Sequence, residues 1–219
     1  GRAEGVLDTS RLEREVDGIG LIGPSARLTA EEQKGLEKWF SDYLDWMQTS
    51  RNGKAENAAK NNHGMWFDAQ TSQFALFARR PEMAKAVAEA FGKKRISPQI
   101  TAEGKMPLEL ARTRSLHYSI YALFAAYDVA DMAKCVGVDV WNYADGAKSL
   151  KGATDFLKPY YRKVDAWPMP ELRPDAGELD ELMRRARGAW GDGYPLAPET
   201  ELKRYFGAAP AAGEGKNPG

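Results

Sequence analysis

Apolar residues recur every three or four positions along most of the chain, and this spacing predicts helices. In the first clear segment, Thr29 and Glu32 have the spacing of a capping box, which marks a helix start. The apolar positions that follow on one face are Leu36, Phe40, Tyr43 and Met47. We therefore expect one amphipathic helix of about five turns.

The same periodicity predicts further helices. They run from near His63 to Arg79, from Pro81 to Gly92, from Pro107 to about Cys135, and around 146–158 and 177–189. The third of these contains no internal proline or glycine, and its wide apolar face indicates burial on most of its circumference. Because no alternating strand pattern exceeds four or five residues, the predicted fold class is all-α, with antiparallel helical pairs joined by short loops.

Composition narrows the classes of function. Lys plus Arg and Asp plus Glu are both 31, so the net charge does not favour nucleic acid or an anionic membrane as a partner. Cys135 is the only cysteine, and the two histidines, His63 and His117, have no clear carboxylate pair beside them, so neither a metal site nor a cofactor is predicted. The chain shows no signal peptide and no apolar run long enough to span a membrane.

We expect residues 1–206 to form a single helical domain. Residues 207–219 are poor in large apolar side chains and are predicted to be a flexible tail.

Two segments carry candidate chemistry. "KNNHGMWFDAQ" (60–70) places two amides, an imidazole, an indole and a carboxylate within eleven positions. About fifty residues later, "ARTRSLHYSIY" (111–121) aligns Arg114, Tyr118 and Tyr121 on one helical stripe. Arg112 lies about 240° from Tyr118 on a regular helix, so these two side chains meet only if the helix start is distorted.

Amides, imidazole, arginine and tyrosine together suit a uronic acid. Removing the proton on C5 leaves an enolate-like dianion unless the neighbouring carboxylate is neutralised by donors or cations. Asn62 and His63 are suitable donors, Arg112 or Arg114 suitable cations, and a tyrosine a suitable proton shuttle.

These motifs resemble the alginate lyase-like polysaccharide lyases, and they look most similar to polysaccharide lyase family thirty-eight, whose members cut glucuronan or alginate. The resemblance rests on "NNHGMWFDAQ" and "LELARTRSLHYSIYAL", with support from "GVLDTSRLEREVDGIGLIG" and "LTAEEQKGLEKWFSDYLDWM". It covers 5–143 well and the rest loosely. It implies an (α/α) toroid, or incomplete barrel, of helical hairpins and metal-independent β-elimination of a polyuronate in the periplasm or outside the cell.

By position, the resemblance implies that Asn62 and His63 neutralise or orient the carboxylate, that Arg112 assists, and that Tyr118 is the catalytic acid, with His63 the candidate base. A tyrosine seven residues after an arginine, the spacing in other alginate lyases, gives Arg114 and Tyr121 as the alternative pair. The candidate substrate-binding residues are Asn61, Trp66 and His117. Because such lyases are longer, the chain is expected to be the C-terminal half to two-thirds of the toroid, with a separate N-terminal segment as an expected partner.

Other interpretations stay open at this level. Trp66 and Trp46 are typical core residues as well as candidate sugar platforms, and Lys93, Lys94 and Arg95 are expected to be solvated. Asp68 could orient His63 or Arg112, or cap a helix. Two rival functions are a non-catalytic helical domain that binds a uronate or serves as a scaffold, and a glycoside hydrolase using Glu109 and Asp68.

Overall fold

The computed structural model describes residues 1–22 and 27–197. The α-helices are α1 (Leu12–Ile22), α2 (Ala30–Thr49), α3 (Arg51–Asn57), α4 (Asn62–Phe77), α5 (Pro81–Phe91), α6 (Ser97–Gln99), α7 (Pro107–Leu110), α8 (Ser115–Lys134), α9 (Leu150–Leu157) and α10 (Asp180–Trp190). Shorter helical turns are the 3₁₀ segments Ala3–Arg11, Lys158–Tyr160 and Val164–Ala166, and a π-helical turn at Gly92–Ile96. Strands β1 (Ala144–Asp145) and β2 (Lys148–Ser149) form a two-residue antiparallel hairpin.

The all-α fold class is confirmed, and several helix boundaries agree with the sequence prediction. Thr29 and Glu32 form the expected capping box at the start of α2. Pro81 occupies the first turn of α5, where its missing N–H costs no hydrogen bond. The predicted tail, 207–219, lies outside the described residues.

Helices α4 and α8 form the centre of the fold and are buried on most of their circumference. One apolar cluster packs Met65 of α4 against Leu116 and Leu123 of α8. A second packs Phe74 of α4 against Phe40 of α2. Because both clusters share α4, its apolar residues surround the helix instead of forming one stripe.

The prediction of one helix from Pro107 to Cys135 is wrong at its start. The segment is broken between α7 and α8, at residues 111–114. The Thr113 carbonyl accepts from the Leu172 amide, and the Ser115 amide donates to the Pro170 carbonyl, so a distant segment satisfies the backbone there. The break takes Arg112 out of helical register with α8.

Helices α4 and α8 run side by side in the same direction. Asn62, the first residue of α4, bonds to Glu109, just ahead of α8. One turn further along, the rings of Trp66 and Tyr121 lie 4.8 Å apart. The N-termini of both helices therefore meet at one end of the molecule. Within the described residues, no helix is both long and apolar enough to cross a membrane.

Candidate active site

His63 is fixed at the start of α4 by a buried carboxylate. Its Nδ1 lies 2.6 Å from Oε1 of Glu56, the sixth residue of α3. Since a carboxylate accepts, Nδ1 carries the proton and Nε2 is the basic nitrogen of the neutral ring. The hydrogen bond to Glu56 raises the pKa of His63 above its usual 6.5, against the opposing effect of burial.

Asn62 is fully buried and held by a second carboxylate. Its backbone N–H and its side-chain Nδ2 donate to the two oxygens of Glu109, at 2.6 and 2.7 Å. Burial raises the pKa of Glu109, and the two bonds from Asn62 oppose that rise. The side-chain Oδ1 of Asn62 is buried with no hydrogen-bond partner among the described residues. In the free chain, therefore, the Asn62 amide is turned toward Glu109.

Arg112 and Tyr118 are in direct contact. The guanidinium carbon of Arg112 lies 3.8 Å from the centroid of the Tyr118 ring, a cation–π arrangement. Both side chains are half-buried. The break before α8 makes this contact possible, because Arg112 would point away from Tyr118 on an uninterrupted helix.

Arg112 also links the tyrosine to the start of α4. Its positive charge opposes the rise in the pKa of His63 and lowers that of Glu109, so all three groups lie within electrostatic range of one another. The structure thus brings His63, Arg112 and Tyr118 together where the N-termini of α4 and α8 meet. The partial positive charge of two helix ends adds to that of Arg112.

The alternative pair, Arg114 and Tyr121, is engaged elsewhere. Arg114 Nε lies 3.6 Å from Oε1 of Glu171, in an ion pair that accompanies a backbone bridge between the same residues. Tyr121 hydrogen-bonds to Ser10 and packs against Trp66, and burial raises its pKa. Neither Arg114 nor Tyr121 therefore shares the contact that joins Arg112 to Tyr118.

The three candidate substrate-binding residues differ in position. Asn61 is the N-cap of α4, but its side chain makes no capping bond and is half-buried. Trp66 is buried, and its indole N–H has no hydrogen-bond partner among the described residues. His117 hydrogen-bonds through Nδ1 to Glu178 and lies parallel to Tyr121, with ring centroids 6.0 Å apart.

Trp66 and Tyr121 line a cavity of about 1200 Å³ between α1, α4, α8 and α10. Glu13 of α1 borders it, and burial, followed by the nearby charges of Asp128 and Asp17, raises the pKa of Glu13 to about 9. Arg185 pairs with Asp128 on the same wall. The cavity begins one helical turn beyond His63 and Tyr118.

Sequence reasoning missed several residues around the site. Glu56 is one of them, although a carboxylate seven positions before a histidine is a detectable signal when a turn separates the two residues. Arg95, expected to be solvated, is 2% exposed and pairs with Asp68 at 2.7 Å. Trp46, expected in the core, is 43% exposed. Within the described ranges, no group of three or more His, Cys, Asp or Glu residues is placed to hold a metal ion.

Fold and site together define an all-α protein in which imidazole, guanidinium and phenol groups meet at the shared end of two central helices. The family model described as alginate lyase matches residues 1–167. The chain belongs to the alginate lyase family.

A solved structure supports the same assignment. The crystal structure of an alginate lyase from Bacteroides ovatus is 34% identical to this chain, with a TM-score of 0.82. The match covers 86% of this chain and 51% of the Bacteroides chain, so this chain spans about half the length of that relative. No curated protein matches the chain.

Proposed function

We propose that the chain forms the catalytic part of a polysaccharide lyase that cleaves a polyuronate, either β-1,4-glucuronan or alginate rich in mannuronate, by β-elimination. The alginate lyase family and the similarity to the Bacteroides enzyme support lyase chemistry. One observation carries the proposal for this site. The guanidinium of Arg112 lies against the ring of Tyr118 and within electrostatic range of the imidazole that Glu56 fixes.

The first requirement of the reaction is to neutralise the carboxylate next to C5. Arg112 and the N-termini of α4 and α8 together make this end of the molecule attractive to an anion. Asn61, with its side chain free of a capping bond, is the accessible amide. Asn62 reaches a substrate only by leaving Glu109, so we propose that it acts first by fixing the helix start.

The second requirement is a pair of proton transfers. A base removes the proton from C5, the electron pair forms the C4–C5 double bond, and the C4–O4 bond breaks with its electrons on the leaving oxygen. Neutral His63, through Nε2, is the proposed base, and the Tyr118 hydroxyl supplies the proton to the leaving oxygen. Since H5 and O4 lie on the same side of gluco- and manno-configured rings, one face of the site serves both steps.

The test follows the ultraviolet absorbance of the unsaturated product with glucuronan, polymannuronate and polyguluronate as substrates. We expect Tyr118→Phe to lower kcat by about 10²–10⁴-fold. Tyr121→Phe, the matched control, should keep most of the activity because its hydroxyl is committed to Ser10. Activity should persist in the presence of a chelator.

A flat trace on all three polymers would overturn the proposal. The chain spans about half of the Bacteroides enzyme, so the assay is run both on the folded chain and on any longer protein that contains it. The trace must be flat for both. A non-catalytic domain that binds uronates would then be the better interpretation, and polymer binding without product would identify it.

A further inference from the structure

A buried arginine, Arg95, holds the turn between α3 and α4, just before His63. Arg95 lies in the π-helical turn after α5 and is 2% exposed. Its Nη1 donates to the carbonyl of Ala59 at 2.7 Å, and its Nη2 donates to the carbonyl of Asn57 at 2.8 Å. One planar guanidinium therefore fixes the carbonyl of the last residue of α3 and a carbonyl of the turn that joins α3 to α4.

A carboxylate and a lysine complete this cluster. Arg95 Nε donates to Asp68 Oδ2 at 2.7 Å, and Asp68 lies in α4 just over one turn after His63. Lys94 Nζ donates to Asp68 Oδ1 at 2.8 Å and to Asn57 Oδ1 at 2.6 Å. Arg95 and Lys94 thus each connect Asn57, at the end of α3, to Asp68 in the body of α4.

The turn that Arg95 holds lies between Glu56 and His63, the two partners of the hydrogen bond that fixes the imidazole. Glu56 immediately precedes it and His63 closely follows it, so its conformation sets the distance between the carboxylate and the imidazole. The packing leaves little space, because a methyl group at Gly64 would lie 2.2 Å from both Arg95 Nη1 and the Ala59 oxygen. Arg95 therefore holds the turn between Glu56 and His63 through bonds to Asn57 and Ala59.

We propose that Arg95 and Asp68 are positioning residues for His63, acting through the turn between α3 and α4. This inference rests on the proposed function, in which His63 is the base. A buried ion pair is a weak source of net stability, because desolvation offsets its Coulomb attraction. Four directed hydrogen bonds from one guanidinium do, however, restrict the turn to one conformation.

The test is an NMR titration of the two imidazoles in the wild-type chain, Arg95→Lys and a control, Lys93→Met, which alters the exposed neighbouring charge. Lysine keeps the positive charge but cannot span the two carbonyls and the carboxylate. We expect the pKa of His63 to fall toward its usual value in Arg95→Lys, because contact with Glu56 loosens while Glu109 and Arg112 remain nearby. His117, hydrogen-bonded to Glu178 away from Arg95, reports whether each variant keeps the wild-type fold.

Kinetics give an independent measurement. We expect kcat of Arg95→Lys to fall about tenfold to a hundredfold with KM little changed, since misplacing a reactive group impairs the chemical step. If Arg95→Lys does not fold, Lys94→Met removes only the partly exposed bridge from Asp68 to Asn57. That variant should show smaller changes of the same sign.

The outcomes separate this inference from the proposed function. An unchanged His63 titration in a folded Arg95→Lys or Lys94→Met variant overturns the positioning role, whatever the activity. A fall in the pKa of His63 in a chain whose wild type cleaves no polyuronate supports the positioning role and rejects the proposed function. A loss of kcat together with the fall in pKa supports both.

Discussion

Replacing Glu13 by glutamine should stabilise the chain near neutral pH. Glu13 is buried in the wall of the cavity between α1 and α8, and its Oε1 has no hydrogen-bond partner among the described residues. Burial raises its pKa from 4.5 to about 9, and the charges of Asp128 and Asp17 add to the effect. The folded chain therefore holds this carboxyl protonated at pH 7, whereas the unfolded chain releases the proton.

The magnitude follows from linkage. Each pH unit above the unfolded pKa of 4.5 costs the folded state about 1.4 kcal/mol, so at pH 7 the cost is about 3 kcal/mol. Stability from the neutral carboxyl is fully present below pH 4.5 and is lost as pH rises toward about 9. Glutamine has nearly the same shape and no proton to hold, so Glu13→Gln should gain about 3 kcal/mol at pH 7 but about 1 kcal/mol or less at pH 5.

Urea unfolding at pH 5, 6, 7 and 8 measures this difference directly. The matched control is Glu15→Gln, an exposed carboxylate on the same helix, which should change stability by less than about 0.5 kcal/mol at every pH. A gain from Glu13→Gln that does not grow with pH would refute the reasoning. A loss of stability would show that Glu13 is ionised and paired in the folded chain.

Two further predictions concern the start of α4. Glu56→Gln removes the carboxylate that raises the pKa of His63, so His63 becomes neutral at lower pH. The acid side of the pH–kcat/KM profile should therefore move to lower pH, and an unmoved profile would contradict His63 as the base. Gly64→Ala should destabilise the chain by about 1–3 kcal/mol in urea unfolding, because its methyl group would lie 2.2 Å from the Ala59 oxygen and from Arg95 Nη1. An unchanged unfolding midpoint would show that Arg95 and the turn before α4 can move apart.

The sequence predicts the helices well where the local signal and the tertiary packing agree. The capping box of α2 and the proline at the start of α5 are local features, and both appear in the structure as predicted. The break before α8 has no such signal, because no proline or glycine lies between Pro107 and Ser115. Backbone bonds to the segment around Leu172 produce it, and such distant pairing cannot be read from periodicity.

The candidate site shows the same division. The motifs single out His63, Arg112 and Tyr118 as candidates, but only the break before α8 brings Arg112 onto the Tyr118 ring. Arg95 stands in a run of three basic residues, which is typical of a solvated surface. Its burial depends on Asp68, 27 positions earlier, and on two backbone carbonyls that no side-chain pattern reveals.

The buried carboxylates around α4 argue against the glycoside hydrolase alternative. A glycoside hydrolase needs two carboxyl groups facing the scissile bond, and the sequence offered Glu109 and Asp68 for these roles. Both are almost fully buried, Glu109 against Asn62 and Asp68 against Arg95. Each holds a donor in place, so neither is available to protonate or attack a sugar. The remaining candidate groups are the Arg112 guanidinium on the Tyr118 ring and the imidazole of His63 within electrostatic range of Arg112, and this set is consistent with the elimination proposed above.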